Sequence, residues 1–351
     1  MTQYLKTLMI TAVVLFCYGT NYAGNPDRQG EAGAYELLLN PWARSAGFHT
    51  LNTSMVSGVE AMRLNIAGLS RINTTEVLIG HTRLFEGTTM KLNSVGISQR
   101  MGKSGAFGIT LTALDFGDIP ITTENSPGGT GASFSPSFFH IGFAYANTFE
   151  NKVSVGILLR GISESISDAS AFGFGIDAGV QYVTGEEDNF KFGISLRNIG
   201  SPMTFGGQGL SFQTSNPGGA VDYQITIDQR AATFELPSVL NIGASYDFLP
   251  APRHRITVLG NFTANSFSRD QVGGGLEYSF KNMFMLRGGY RYDLGSSIND
   301  EDRSVYSGLS AGVSIEVPLK KESSGKFGVD YAFRSTNPFD GTHNITIRYS
   351  M

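Results

Sequence analysis

One stretch of the chain decides its fold class: Phe172-Gly173-Phe174-Gly175-Ile176-Asp177-Ala178-Gly179-Val180-Gln181-Tyr182. Apolar side chains stand at every second position, and glycine or a polar residue stands between them. Side chains on a β-strand alternate between the two faces of the sheet, so this period of two predicts a strand with one apolar face. A helix would break the order within one turn.

The same alternation recurs along most of the chain and predicts about fourteen strands. We place them near residues 75–84, 88–100, 105–115, 136–149, 152–166, 171–183, 189–199, 237–249, 254–265, 270–280, 283–293, 305–317, 326–335 and 342–350. An even number of strands is typical of a closed bacterial outer-membrane barrel, in which short turns face the periplasm and long loops face outward. The three longest connections, 116–135, 200–236 and 294–304, all fall on the predicted outer side. The sequence therefore predicts an all-β fold, a transmembrane antiparallel β-barrel over residues 75–351.

The composition agrees with a wall that has lipid on one side and water on the other. Charged residues make up only 16% of the chain, 44 residues are glycine, and the mean hydropathy is −0.06. The near-zero hydropathy argues against a bundle of membrane helices. A soluble β-sandwich or β-helix would also alternate, but it would have to leave an almost uncharged apolar face in water. The net charge of −4, without a basic cluster, argues against a nucleic-acid partner.

The first residues are predicted to be an export signal. Lys6 precedes an apolar run from Leu8 to Phe16 that is too short to span a bilayer, and small residues follow at Gly19 and Ala23. We therefore expect residues 1–23 to be a signal peptide, with cleavage near either small residue, and the mature protein to reside in the bacterial outer membrane.

Residues 24–74 do not fit the strand count. They contain one motif at 40–47 and another at 59–69, which could form a short helix ending near Gly68. A fourteen-stranded barrel is too wide for its own side chains to fill. We therefore predict that this N-terminal segment folds into the lumen as a plug. The residues assigned to the plug are Asn40, Pro41, Trp42, Arg44, Asn65 and Gly68.

These motifs also carry a family resemblance. Residues 38–47 and 65–69 resemble the plug motifs of the PorV/PorQ family, which is related to the FadL-type transporters of hydrophobic compounds. Residues 115–120, 127–131, 177–182, 196–200, 205–207, 236–238, 275–278 and 286–290 continue the resemblance over nearly the whole mature chain. It implies an outer-membrane component of the type IX secretion system of Bacteroidetes. Such a component binds exported cargo through its C-terminal signal domain, beside the large translocon barrel.

Two positions depart from that family pattern. Ile66 stands where the motif would have proline, and the chain ends in Met351, where many outer-membrane barrels end in an aromatic residue. Both departures indicate a divergent paralogue that serves particular cargo, or a gliding-motility or adhesin complex. The expected partners are the translocon barrel, secreted cargo proteins and outer-membrane lipid. The alternative is a FadL-like transporter of hydrophobic small molecules.

The sequence shows no catalytic or metal-binding motif. No histidine pair has the spacing of a metal site, and neither a Gly-x-Ser-x-Gly elbow nor a Walker loop occurs. We therefore expect no enzyme activity, cofactor or metal, although a Ser/His pair assembled from distant strands stays open because triads are defined by geometry.

The predicted inward faces carry charges of both signs. They are Asp177, Lys191, Arg197, Asp247, Glu277, Arg287, Arg291, Asp330 and Arg334. We expect a paired network that braces wall and plug, with a permeation path as the alternative.

The outer loops carry apolar residues amid Gly and Ser. Loop 200–236 is too long for an ordinary connection, which indicates a function. The candidate partner-binding residues are Phe134, Met203, Phe205, Leu210 and Phe212. They suit either a protein interface or a lid over the barrel mouth.

Overall fold

The computed structural model describes residues 24–150, 152–215, 223–296, 304–319 and 325–351, so the predicted signal peptide lies outside the described residues. Fourteen strands form a closed barrel. The strands are β1 (Thr75–Arg83), β2 (Lys91–Met101), β3 (Gly105–Asp115), β4 (Ser137–Phe149), β5 (Val153–Ile166), β6 (Ala169–Thr184), β7 (Phe190–Gly200), β8 (Val239–Ala251), β9 (His254–Asn265), β10 (Gln271–Phe280), β11 (Phe284–Asp293), β12 (Tyr306–Pro318), β13 (Lys326–Thr336) and β14 (Thr342–Ser350). The predicted fold class is confirmed.

Each strand pairs antiparallel with its neighbours in the chain, and β1 closes the barrel against β14. The register of the closure runs from Glu76 opposite Ser350 to Arg83 opposite His343. Because the strand number is even, the first strand begins and the last strand ends at the same end of the barrel. The long connections after β3, β7 and β11 all lie at the opposite end, which we call the outer end.

The strands alternate between an apolar outward face and a more polar inward face. Outward side chains such as Ile79, Phe143 and Leu286 are more than half exposed, with 52%, 51% and 59% of their surface accessible. Inward residues such as Ser94 and Thr257 are buried. A continuous apolar surface of this kind is stable against lipid tails but not in water. The helices of the described residues are all too short and too polar to cross a membrane.

Residues 24–74, the N-terminal segment, pass through the barrel interior as short helical turns. Their bounds are Pro26–Arg28, Tyr35–Leu38, Gly58–Glu60 and Ile66–Ser70 for the 3-10 helices, and Ala43–Ala46 and Ala61–Leu64 for the α-helices. Trp42 is buried in the interior against Val59 and Leu78, and Met62, Ile66 and Leu69 pack on Ala106, Ala146 and Leu158 of the wall.

Inward glycines allow the N-terminal segment to lie against the wall backbone. A Cβ added at Gly289 would stand 2.6 Å from the carbonyl carbon of Phe48, and one added at Gly156 would stand 2.7 Å from the carbonyl oxygen of Ile66. Such distances are impossible for a real side chain, so only glycine fits at these positions. At these two positions, an inward glycine is therefore the place where the segment contacts the sheet.

Candidate functional site

The residues assigned to a plug lie together inside the barrel. The side-chain oxygen of Asn40 accepts a hydrogen bond from the Trp42 amide at 3.0 Å, which fixes the turn before the helix Ala43–Ala46. Asn65 caps the helix Ile66–Ser70 by accepting from Ala67 N at 3.2 Å, and its Nδ2 donates to the Val180 carbonyl of β6 at 3.1 Å. Capping and wall contact by one side chain fix the segment's course relative to the sheet.

The other plug residues are also enclosed. The carbonyl of Pro41 accepts from Thr82 of β1 at 3.3 Å. Gly68 lies so close to the Val56 carbonyl that no Cβ would fit. Arg44 contacts the acidic side chains of Glu316 in β12 and Asp330 in β13.

Arg348 of β14 is the centre of an ion network between the N-terminal segment and the wall. Its guanidinium contacts Glu76 of β1 at 2.5 Å, Asp330 of β13 at 3.3 Å and Glu60 of the segment. Arg44, also of the segment, contacts Asp330 at 3.3 Å. Of the five members of this network, all but Arg44 have side chains that are less than a tenth exposed. Removal of the cation would leave three buried carboxylates facing one another.

The sequence predicted a charge network between wall and plug and named Arg44 and Asp330, but not the central Arg348 or its partners Glu60 and Glu76. The alternation in β14 places Arg348 on the inward face, but the partners of Arg348 on the segment and on β1 come from 272 and more residues away in the chain. Nothing local in the sequence indicates such a pairing.

Several inward charges of the wall pair with one another, as expected for a bracing network. Arg160 of β5 contacts Asp177 of β6 at 2.5 Å, and Lys191 of β7 contacts Asp247 of β8 at 2.5 Å. Glu277 of β10 is shared between Arg287 and Arg255, at 3.0 and 3.1 Å. Three predicted inward arginines, however, make no ion pair within the described part of the chain: Arg197, Arg291 and Arg334. They lie nearer the outer end.

Two cavities within the described part of the barrel are lined by the N-terminal segment. The outer cavity has a volume of 380 Å³ and is lined by His49, Leu51 and residues at the outer ends of β8 to β13. The inner cavity has a volume of 390 Å³ and is lined by Arg44, Phe48 and residues beside the short turns. Residues 44–52 lie between the two.

His49 points into the outer cavity from a strained backbone. Both His49 and Thr50 have left-handed φ angles, 55° and 66°. For residues with a side chain this conformation costs about 1–2 kcal/mol each. The ring is buried and neither nitrogen has a hydrogen-bond partner among the described residues. Burial, together with the charges of Arg291 and Arg334, holds the pKa of His49 well below its usual value, so the ring is neutral at pH 7.

The loop between β7 and β8 folds back over the outer mouth of the barrel. Met203–Thr204 pairs with Thr233–Phe234, and Ser170 at the start of β6 forms a bridge with Gly206. Met203 is only 1% exposed and packs with Ala34 and Leu37 of the N-terminal segment in an apolar cluster that Phe205 also contacts. For Met203 and Phe205 this geometry corresponds to the lid alternative.

The middle of the same loop forms an exposed antiparallel ribbon, Ser211–Ser215 with Gln224–Asp228. Phe212 stands directly opposite Ile227, and these side chains are 45% and 38% exposed. Leu210 at its base is half-buried. In the loop after β3, Phe134 is half-buried and pairs with Ile119 in a two-residue ribbon. Phe212 is therefore the most exposed of the five candidate residues.

Comparison with known families matches residues 61–349 of the chain to the type IX secretion system membrane protein PorP/SprF. Among curated proteins no sequence matches significantly. The PorV/PorQ resemblance thus holds at the level of a type IX secretion membrane protein with a FadL-like barrel, whereas PorV itself is not indicated by this match.

Solved structures of similar fold include two toluene transporters and a FadL homologue. The toluene transporter TodX of Pseudomonas putida aligns with a TM-score of 0.55 and 14% identity over 85% of this chain and 95% of its own. The toluene transporter TbuX of Ralstonia pickettii gives 0.55 and 14% over 88% and 97%. A Pseudomonas aeruginosa FadL homologue gives 0.51 and 10% over 88% and 97%. At these identities the likeness shows the fold alone.

Proposed function

Because the chain belongs to the PorP/SprF family of type IX secretion system membrane proteins, we propose that it is a non-catalytic docking component of that system. It sits in the bacterial outer membrane, and its outer loops hold an exported protein, or a subunit of a surface complex, beside the translocon barrel. The proposal keeps the partners expected from the sequence, namely secreted cargo with a C-terminal signal domain and the large translocon barrel. A gliding-motility or adhesin complex is the cargo class that a divergent paralogue would serve.

The observation that carries this proposal is the exposed ribbon. Phe212 and Ile227 present a paired apolar surface on the outer side, while Met203 anchors the same loop in the cluster at the barrel mouth. Because packing of Met203 already anchors the loop, less conformational freedom remains to be lost when a partner binds. Exposed ribbon edges also offer main-chain donors and acceptors to an added strand.

The filled interior supports docking over transport. The N-terminal segment contacts inward glycines of β5 and β11 directly, and Arg348 and Arg44 tie it to three wall strands. We infer that the segment is a plug that leaves no open channel for a folded protein or a large solute.

The test is purification of the mature protein from its native outer membrane in mild detergent, followed by mass spectrometry of what comes with it. Wild type is expected to carry translocon subunits or proteins with a C-terminal sorting domain. The double variant Phe212→Asp, Ile227→Asp is expected to lose them while keeping its barrel. Ile121→Asp, at an exposed apolar position of the other long loop, is the matched control and should retain them. A clean monomer from wild-type cells contradicts the proposal.

A second candidate function rests on the two cavities. Volumes of 380 and 390 Å³ are within the range of small-molecule sites, and the transporters TodX and TbuX share this fold. In this alternative the chain carries a hydrophobic small molecule across the outer membrane. Uptake of a labelled hydrophobic solute by cells with and without the protein separates the two: loss of uptake with normal surface proteins favours the transporter.

A further inference from the structure

The outer cavity collects positive charge that the described residues do not pair with carboxylates. Arg197, Arg291 and Arg334 all line it, and Asp293 is the one acidic side chain among its described lining residues. The three arginines lack an ion pair to any described residue. Buried cations without a partner are strongly disfavoured, so such a cluster is expected where a ligand supplies the opposite charge.

Arg334 shows the lack of partners most clearly. It is 3% exposed, and its Nε and Nη2 are buried with no hydrogen-bond acceptor among the described residues. Its guanidinium carbon lies over the Tyr306 ring, 4.4 Å from the ring centre, a cation–π contact that uses none of its hydrogen-bond donors. The Tyr306 hydroxyl is likewise buried and unpartnered among the described residues.

His49 of the N-terminal segment also lines the cavity, beside Tyr306. Its ring packs edge-on against Tyr306 with centroids 5.8 Å apart, and both of its nitrogens lack partners within the described chain. Among the described residues, Arg291 donates one long hydrogen bond, of 3.5 Å, to Ser304. Guanidinium, imidazole and phenol donors from three strands and the N-terminal segment therefore converge on one 380 Å³ space.

We propose that the outer cavity is a binding site for a small oxyanion, held by Arg291 and Arg334 with His49 and Tyr306 as further donors. Carboxylate and phosphate are the groups whose paired oxygens match an arginine fork. The cavity also has apolar walls, from Phe85, Leu39 and Leu51, so it accepts an anion with a small apolar body. This site is separate from the exposed ribbon, and it stands whether or not the ribbon docks a partner.

The test measures binding to the purified full-length mature barrel by calorimetry, at constant ionic strength set with chloride. The probes are inorganic phosphate, benzoate, and toluene as the neutral counterpart of benzoate. Saturable binding of phosphate or benzoate, one per barrel, is expected. Arg334→Gln and Arg291→Gln should each weaken it about 10- to 100-fold. Arg255→Gln, an inward arginine that lines the inner cavity, is the matched control and should bind as wild type does.

The two anions also separate the carboxylate from the phosphate class. Tighter binding of benzoate indicates a carboxylate with an apolar body, and tighter binding of phosphate indicates a phosphorylated ligand. If Arg334→Gln does not fold to a heat-modifiable barrel, anion binding by the Arg291→Gln variant is the test, because Arg291 is less buried.

The sequence between β11 and β12 contains three acids, Asp300, Glu301 and Asp302, outside the described residues. A variant with all three changed to amides removes any competition from them. Absence of anion binding in both wild type and this variant overturns the proposal. Equal affinity for benzoate and toluene, unaffected by Arg334→Gln, overturns it as well.

Discussion

Replacement of Arg348 by methionine is expected to destabilise the barrel more than any other single change at a charged position. Arg348 lies within ion-pair distance of Glu60, Glu76 and Asp330, and all three carboxylates are buried. At an effective dielectric near 20, one such pair at 4 Å is worth up to about 4 kcal/mol, and desolvation of the guanidinium cancels much of this. Removing one partner of a buried pair typically costs about 3–5 kcal/mol. Arg44 and Arg287 remain near the carboxylates, but neither takes over the direct contacts of Arg348 with Glu60 and Glu76, so we expect the upper part of that range.

The assay is denaturant unfolding of the detergent-solubilised barrel, followed by heat-modifiable gel mobility and circular dichroism. Arg255→Met is the matched control, because Arg255 is more exposed and its partner Glu277 keeps Arg287. We expect that control to cost about 1 kcal/mol or less, as partly exposed pairs do. Adding Glu60→Gln to Arg348→Met should recover about 0.5–3 kcal/mol, the range of coupling between contacting residues.

An Arg348→Met variant within about 1 kcal/mol of wild type refutes the reasoning, since that is the value of an exposed pair. Failure of Glu60→Gln to recover any stability would show that the N-terminal segment is not coupled to the network.

Three further perturbations test other parts of the account. Gly289→Ala places a Cβ 2.6 Å from Phe48 and should lower the free energy of unfolding by about 1–3 kcal/mol, whereas the adjacent outward Gly288→Ala, whose nearest contact is 3.5 Å, should change it little. The pKa of His49 is lowered in the fold, so below about pH 6.5 the unfolded chain binds a proton that the folded chain does not. The free energy of unfolding should therefore decrease by about 1.4 kcal/mol for each unit by which the pH is lowered there. The decrease should be smaller in His49→Gln. Leu286→Arg, on the lipid-facing surface, should cost about 2–4 kcal/mol if the position lies near the bilayer midplane.

Each of these has an outcome that contradicts it. Equal stability of the two glycine variants would mean that the segment does not contact β11. An identical pH profile in wild type and His49→Gln would mean that the imidazole is solvated. If Leu286→Arg were as stable as wild type both in bilayers and in detergent, this face would not be in contact with lipid.

The wall of the barrel was predictable from sequence because its signal is local. The alternation from Phe172 to Tyr182 needs no knowledge of distant residues, and β6 extends over this whole stretch. The same holds for the long loops, whose common end follows from counting strands. The glycines of the pattern fitted a crowded interior, and the structure shows what crowds it, namely the backbone at Phe48 and Ile66.

The site was less predictable because its contacts join residues far apart in the chain. The pairing of Arg348 with Glu60 spans 288 positions, and a local repeat in the sequence cannot predict such a contact. Met203 and Phe212 are alike in sequence, both apolar in a polar loop, yet one is buried at the barrel mouth and the other is exposed. That difference depends on the packing of residues 34–37 beneath the loop. Arg334 lacks an ion pair among the described residues because of the strands that lie beside it. The alternation of the sequence does not predict those neighbours.

The most direct measurement of the central claim is the inventory of surface proteins in cells that lack this chain, complemented with wild type or with Phe212→Asp, Ile227→Asp. The account predicts that wild type restores a defined set of type IX-dependent surface proteins. The ribbon variant, at equal barrel level in the outer membrane, should leave the same proteins in the periplasm. An unchanged surface inventory in both the deletion strain and the variant, with loss of hydrophobic-solute uptake in the deletion strain, would contradict docking and assign the barrel to transport.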